Sequence, residues 1–377
     1  MSRDKREILD LVAGSLMGGT IGDALGLPFE TMPAEEIWIG VPGGAVSGFI
    51  TDPTGCSDEI QCRLKRRPPG MISDDTQLSF AVADSLIRSR GFDPVDQAAS
   101  LVASYHHNTD NVFGWGGTTL AAAVELAEWF SSGGTRGRNP RTPVAPSTKP
   151  GKGCGNGVAM RAGPLALYHA LTHPESQADF FPNFRSLGLM THGDQRAWIA
   201  AACAGVVIST PLLEGRPSAI DVVDLSEDGG CDGCDSMYAV GLERLAHCIC
   251  CNSERLEQMF ADGTPDRRSL AWAFREALAA TDSAAKLMDR VGTSSFALES
   301  VPFAVGTFFR HPTDFRAALL EAVNAGGDTD TTAAMVGTMV GANVGESGIP
   351  AEWIEKVPAA SRARELAVQM VDLFFQP

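Results

Sequence analysis

The chain has 377 residues, 44% hydrophobic and 20% charged, which supplies a large buried core and, on length alone, would suit two or three domains. Its 46 acidic residues outnumber 30 basic ones, and the resulting formal charge of −16 argues against the basic footprint of a nucleic-acid binder. The charged segment Met1 to Glu7 lacks the apolar core of a signal peptide, and the most apolar runs, 197–208 and 332–344, are short for a bilayer span.

Helical periodicity dominates from the start, over 4–26, 75–90, 94–107, 117–131, 158–171, 194–210, 236–260, 268–280, 295–308, 312–323, 330–345 and 360–374. Alternating patterns are nearly absent, and 45–51 is the best short strand candidate. The fold class is therefore all-α. The first helix carries Gly14, Gly18, Gly22 and Gly26 along one stripe, and Gly337, Gly341 and Gly345 repeat the device near the C-terminus. Glycine within a helix costs about 1 kcal/mol relative to alanine, so a spaced row either fills small gaps or admits a second backbone. If the two rows pack together, the ends of the chain share one core, and residues 1–377 form a single domain.

Asp23 lies in the apolar face of that first helix and needs a partner, such as the end of a neighbouring helix. Pro28 stops the helix, leaving Glu30 just beyond it on a mobile segment, as a general acid/base or a plain surface carboxylate. Residues 40–70 read as a Gly/Pro-rich loop whose basic run, Arg63-Leu64-Lys65-Arg66-Arg67, is solvated. Next come Ser73-Asp74-Asp75-Thr76 at a helix start, and Trp115, which either lines an entrance or packs in the core. A loop over 131–153 ends in Gly151-Lys152-Gly153-Cys154-Gly155-Asn156-Gly157. This glycine-rich turn before a helix makes either an anion nest or a flexible loop, without the Lys-Ser/Thr ending of a Walker motif. His192, in a turn, either donates to a phosphate or ribose oxygen or makes a structural hydrogen bond.

A third loop, 214–235, opens a cysteine-rich insertion at about 214–260. Cys231, Cys234, Cys248 and Cys251 have the spacing of a structural four-cysteine Zn²⁺ site, or else the thiols are small apolar residues on a helix. With nine cysteines and no export signal, reduced thiols and a cytoplasmic location are expected. Last comes Gly326-Gly327-Asp328-Thr329-Asp330-Thr331. Like charges so close repel, and burying them requires a cation. Two hard ions, Mg²⁺ or Mn²⁺, would suit Asp74, Asp75, Asp328 and Asp330, with Ser73 and Thr331 adding neutral oxygens. The alternative is that each cluster merely caps its helix.

Five stretches together resemble the ADP-ribosylglycohydrolase family: GSLMGGTIGDALGLPFE at 14–30, ISDDTQLSFAVADSL at 72–86, GNGVAMRAGPLAL at 155–167, TH at 191–192, and GGDTDTTAAMVGTMVGANVGESGIP at 326–350. The resemblance implies a compact orthogonal bundle of helices around a dinuclear Mg²⁺ or Mn²⁺ centre. By motif, Ser73, Asp74, Asp75, Asp328, Asp330 and Thr331 would be metal ligands, with Asp330 the bridge. Glu30 matches a flap glutamate that helps activate water, and so joins Asp330 as a catalytic candidate. Gly153, Cys154, Gly155, Asn156 and Gly157 match the diphosphate loop, and His192 a histidine of the same site. The implied activity is hydrolysis of ADP-ribosylated protein side chains, arginine-linked first, with ADP-ribose as product. A serine-linked or O-acetyl substrate, or a non-catalytic ADP-ribose binder, is the alternative. No membrane or nucleic-acid partner is expected, and a monomer is. Arginine-directed relatives use an acidic residue before the fourth helix, where this chain has Phe113-Gly114-Trp115-Gly116-Gly117, with Asp110 nearby.

Overall fold

The first helix forms because the chain supplies both a start and a stop. The Asp4 side chain accepts a hydrogen bond from the Glu7 amide at 2.7 Å, and Pro28 follows the last turn. The computed structural model describes residues 4–107, 114–141, 153–172, 178–213, 242–259, 269–280 and 282–375. The helices of the N-terminal half are α1 (Lys5–Gly26), α2 (Ala34–Gly40), α3 (Asp58–Arg66), α4 (Asp74–Ser89), α5 (Pro94–His107), α6 (Gly117–Ser131), α7 (Gly163–Thr172) and α8 (Phe180–Leu189). Then follow α9 (Gln195–Leu213), α10 (Leu242–Met259), α11 (Leu270–Ala279), α12 (Ala284–Val291), α13 (Ala297–Arg310), α14 (Phe315–Asn324), α15 (Thr329–Val344), α16 (Ala351–Ile354) and α17 (Ala360–Phe375). Among the described residues the only sheet is a pair of two-residue strands, β1 (Met32–Pro33) and β2 (Gly326–Gly327), antiparallel with Met32 opposite Gly327. The protein is all-α.

The two glycine rows meet. Among the described residues, helices α1 and α15 form the most extensive helix pair. A methyl group on Gly22 would sit 2.0 Å from the Ala333 carbonyl oxygen, and one on Gly18 2.2 Å from that of Gly337. No side chain fits between these backbones, so the glycines set the interhelical distance. Joining the two ends of the chain this way brings the loops before α4 and α15 to one end of the pair.

Three expectations need correction. The basic run at 63–67 is not a solvated loop, since it forms the end of α3, with Ile60 and Leu64 buried. Ser57 caps that helix at 3.4 Å from the Ile60 amide, acids occupy its first turn and bases its last, and so both ends complement the helix dipole. The 45–51 segment is not a strand. Instead the Asn324 side chain supplies the missing partner, accepting from the Val46 amide at 2.8 Å and donating to its carbonyl at 2.9 Å. The helix expected over 158–171 is split into a 3₁₀ turn, Asn156–Arg161, and α7, which starts at Gly163-Pro164 because proline lacks the N–H to continue the earlier turn.

Both α1 with its extension to Phe29 and α9 are long and apolar enough to cross a membrane, yet most of each is buried inside the fold. Helix α10 places Ile249 and Cys250 in the main core, so the later part of the cysteine-rich segment packs with the domain. Cys231, Cys234 and Asp110 lie outside the described residues, as do the side chains of Cys248 and Cys251.

Candidate active site

Asp23 of α1 organises the first acidic cluster. Its two carboxylate oxygens accept from the Ser73 amide at 3.0 Å each, and one also accepts from the Thr76 amide at 3.2 Å and the Thr76 hydroxyl at 2.5 Å. A buried carboxylate thus caps α4 from a different helix, as its place in the apolar face of α1 suggested. Burial pushes Asp23 up to about 6, against the pull of those hydrogen bonds. The Ser73 hydroxyl sits at the cap, accepting from the Asp75 amide at 3.2 Å and donating to Asp75 Oδ2 at 3.0 Å.

The second cluster is aimed by Gly326 and Gly327, whose φ of +69° and +79° few side-chain-bearing residues adopt. The Asp328 amide donates to the Thr293 carbonyl at 2.8 Å, and α15 begins one residue later. The clusters then touch, as the Thr331 hydroxyl donates to Asp75 Oδ2 at 3.3 Å. Carboxylate oxygens of Glu30, Asp328 and Asp330 lie within 4.8 Å of one another. Burial first, and then mutual repulsion, push Asp74, Asp75 and Asp330 well above the usual carboxylate range. Asp75 Oδ1 is buried without a hydrogen-bond partner among the described residues. An orphaned oxygen within a cluster of buried carboxylates fits the donor set of a hard cation.

These groups line a cleft of about 490 Å³. Gly155, Asn156 and Gly157 face it, and the Asn156 side chain donates to Asp328 Oδ2 at 2.8 Å, which ties the glycine turn to the acidic cluster. Gly153 and Cys154 are not on the cleft wall. The Cys154 carbonyl accepts from the Ala297 amide at 2.9 Å, and the Asn156 amide is used by the Ser295 carbonyl at 3.0 Å. The nest expected over 153–157 is therefore narrower than its sequence.

His192 reaches the cleft through a relay. Arg161, buried, donates to the Thr191 hydroxyl at 2.7 Å, and that hydroxyl lies 2.8 Å from His192 Nδ1. The hydroxyl can give its proton to Nδ1, the tautomer that carries the ring proton on Nε2, beside Gly155 and Gly157. Burial, with Arg161 and Arg138 nearby, lowers His192 to about 3, so it is a neutral donor at any physiological pH.

Trp115 takes the second of its two readings, the core, and not the substrate-binding one. Its indole is buried with Leu78, Leu101, Leu126 and Met190 in a second core, its N–H donating to the Gln77 side chain at 3.3 Å. The neighbouring Gly114 and Gly116 line the cleft instead. So do Gly117, Thr118 and Thr119 at the start of α6, whose cap Gly116 offers no side-chain hydrogen bond, and Ser294 and Ser295 opposite. The Gly-Gly-Thr-Thr run before a helix was the available signal for the former; the two serines had none. A larger groove of about 850 Å³ lies on another face of α4, but its Asp84 and Arg362 are paired with each other at 2.6 Å and it holds no carboxylate cluster.

The sequence profile of the ADP-ribosylglycohydrolase family matches residues 4–377. The chain belongs to that family. Among its relatives is an ADP-ribosylhydrolase ARH3 from Danio rerio, 25% identical over 98% of this chain and 92% of the relative. An ADP-ribosylarginine hydrolase Tri1 from Pseudomonas putida is 24% identical over 97% and 79%. An ADP-ribosyl-[dinitrogen reductase] glycohydrolase from Rhodospirillum rubrum is 26% identical over 92% and 90%. A solved structure titled ADP-ribosylglycohydrolase-related protein complex superposes with a TM-score of 0.61 at 22% identity, covering 98% of this chain and 100% of its own. This ADP-ribosylglycohydrolase family member thus shares the all-α family fold, and these three relatives carry the names of enzymes.

Proposed function

We propose that the protein hydrolyses the glycosidic bond between ADP-ribose and a modified protein side chain, arginine-linked in the first instance, at a centre of two divalent cations, Mg²⁺ or Mn²⁺. The convergence of both acidic clusters on one cleft, with Asp75 Oδ1 left unpartnered, carries this reading. Ser73, Asp74, Asp75, Asp328, Asp330 and Thr331 would hold the ions. Bound there, the ions would supply the positive charge that fixes the ribose hydroxyls and offsets the carboxylates.

The chain's own residues supply the rest. The uncapped start of α6 and the Gly155–Gly157 turn offer backbone amides to the diphosphate, with His192 Nε2–H as a neutral donor beside them. Glu30 accepts the proton of the water that attacks the ribose C1″, through an oxocarbenium-like transition state. As the C1″–N bond breaks, its electron pair returns to the guanidine nitrogen. An alkyl guanidinium leaves as the neutral guanidine and needs no proton from the enzyme, whereas a serine oxygen needs one. No lining residue is a cationic acid and His192 is neutral, which favours the arginine linkage.

In Mg²⁺, peptides ADP-ribosylated on arginine should release ADP-ribose at least about tenfold faster per unit kcat/KM than serine-linked ones, as befits a difference of one well-placed interaction. Chromatographic quantification of free ADP-ribose decides it. Preference for the serine linkage would overturn the arginine assignment, and tight ADP-ribose binding without release from either would indicate a binder.

A further inference from the structure

The basic run at 63–67 has no part in the chemistry above, yet two of its side chains reach the segment that carries Glu30. Arg67 Nη1 lies 2.8 Å from Glu30 Oε2, and the same nitrogen donates to the Leu27 carbonyl at 2.8 Å. Arg63 donates to the Glu30 carbonyl at 2.6 Å, and is itself steadied by Glu59 at 2.7 Å. Glu30 and Arg67 are each about one-fifth exposed, so water screens this pair only in part. On the other side of Glu30 the backbone is strained. Thr31 has a φ of +68°, rare for a branched side chain, and its amide is held by the Gly327 carbonyl at 2.7 Å. Glu30 is thus not on a loose segment but in a short strap gripped from α3 on one flank and from β2 on the other.

Charge explains why a grip is needed. A Glu30 carboxylate oxygen comes within 4.8 Å of those of Asp328 and Asp330, and repulsion from that cluster favours swinging the side chain out to solvent. Arg67 is the one cation within hydrogen-bond reach of the Glu30 carboxylate among the described residues. We propose that Arg67 is the positioning residue for Glu30, holding its carboxylate over the cleft, with Arg63 fixing the backbone beneath it. The inference rests on Glu30 acting as the base. Lys65 and Arg66, on the same run, are exposed and take no part.

A purely structural role for Arg67, through Leu27, is the competing explanation, and a double-mutant cycle separates the two. Arg67→Gln should lower kcat for ADP-ribosyl-arginine peptide by roughly tenfold to a hundredfold, the scale of a misplaced catalytic group. The dissociation constant of ADP-ribose should hold within about twofold, because Arg67 stands behind Glu30 and does not itself line the cleft. Arg67→Lys should recover most of the rate, and Lys65→Gln with Arg66→Gln should leave it unchanged. In a Glu30→Gln background, Arg67→Gln should cost nothing further. An equal loss in both backgrounds would overturn the proposal. Amide hydrogen exchange over 27–33, measured in the intact protein without substrate, should quicken in Arg67→Gln while the Tm holds. Unchanged exchange would overturn the grip itself, even if the wild type cleaved neither linkage and the proposed reaction had to be abandoned.

Discussion

Asp330→Asn should cut the release of ADP-ribose by about a thousandfold, the upper range for removing one preorganised charge from a reacting centre. The side chain keeps its shape but loses the charge that the two clusters would share. The same substitution should stabilise the metal-free protein. Asp330 is buried, and desolvation followed by repulsion from Asp328, Asp75 and Glu30 pushes its carboxyl well above the usual range. A carboxyl whose folded pKa is raised binds protons more tightly when folded, so its contribution to stability is full below the unfolded value of about 3.9 and is lost as pH rises through the folded value. In chelator, the Tm of Asp330→Asn should therefore exceed that of the wild type by an increment that is smallest near the unfolded value and grows towards neutral pH. Activity and metal-free stability would then move in opposite directions, as expected of a site that stores repulsion for a ligand. A mutant Tm at or below the wild-type value in chelator at neutral pH would contradict this.

Gly22→Ala should be among the most damaging single methyl additions to the fold. The new carbon would meet the Ala333 carbonyl oxygen at 2.0 Å, its carbon at 2.4 Å and the Ala334 amide nitrogen at 2.9 Å. All three are backbone, so no side chain can step aside, and α1 and α15 must separate. A loss of about 3 kcal/mol or more follows from overpacking of this kind, which in a chain of 377 residues corresponds to a fall in Tm of roughly 4 °C or more. Ala333 lies three positions after Asp330 on α15, so the shift would carry the carboxylate with it and activity should fall as well. Gly91→Ala, where an added methyl would meet nothing within 4 Å, is the control and should change stability little. Equal Tm values for the two variants, read by differential scanning calorimetry, would refute the close-contact account.

Much of this arrangement was legible in the sequence because it is written in local patterns. A glycine every fourth residue marks a helix that another backbone must approach, and both rows proved to be each other's partner. Asp-Asp after a serine cap, and Asp-Thr-Asp-Thr after two glycines, announce carboxylates aimed from helix starts, and the structure joins the two clusters through the Thr331 hydroxyl, which donates to Asp75. What stayed hidden depends on partners far away in sequence. The basic run looked solvated because composition cannot show that Arg63 and Arg67 turn back onto residues 27–30. Val46 looked like part of a strand because nothing local reveals that Asn324 takes the place of a neighbouring strand. Trp115 offered both an entrance and a core role, and only the position of Gln77 and the second core decides for the latter. The start of α6 and the Ser294–Ser295 wall act largely through backbone and small hydroxyls, which leave little signature in a single sequence. The Arg161–Thr191–His192 relay joins two segments whose register no periodicity predicts.

The central claim is that the two acidic clusters form one cation-holding site for cleavage at the ribose. The most direct test measures free ADP-ribose released from an arginine-ADP-ribosylated peptide by the wild-type protein in Mg²⁺, after chelation and dialysis, and after Mg²⁺ is restored. Release that disappears on chelation and returns with the metal is the predicted result. Release that persists undiminished in protein shown by elemental analysis to be free of divalent metal would contradict it.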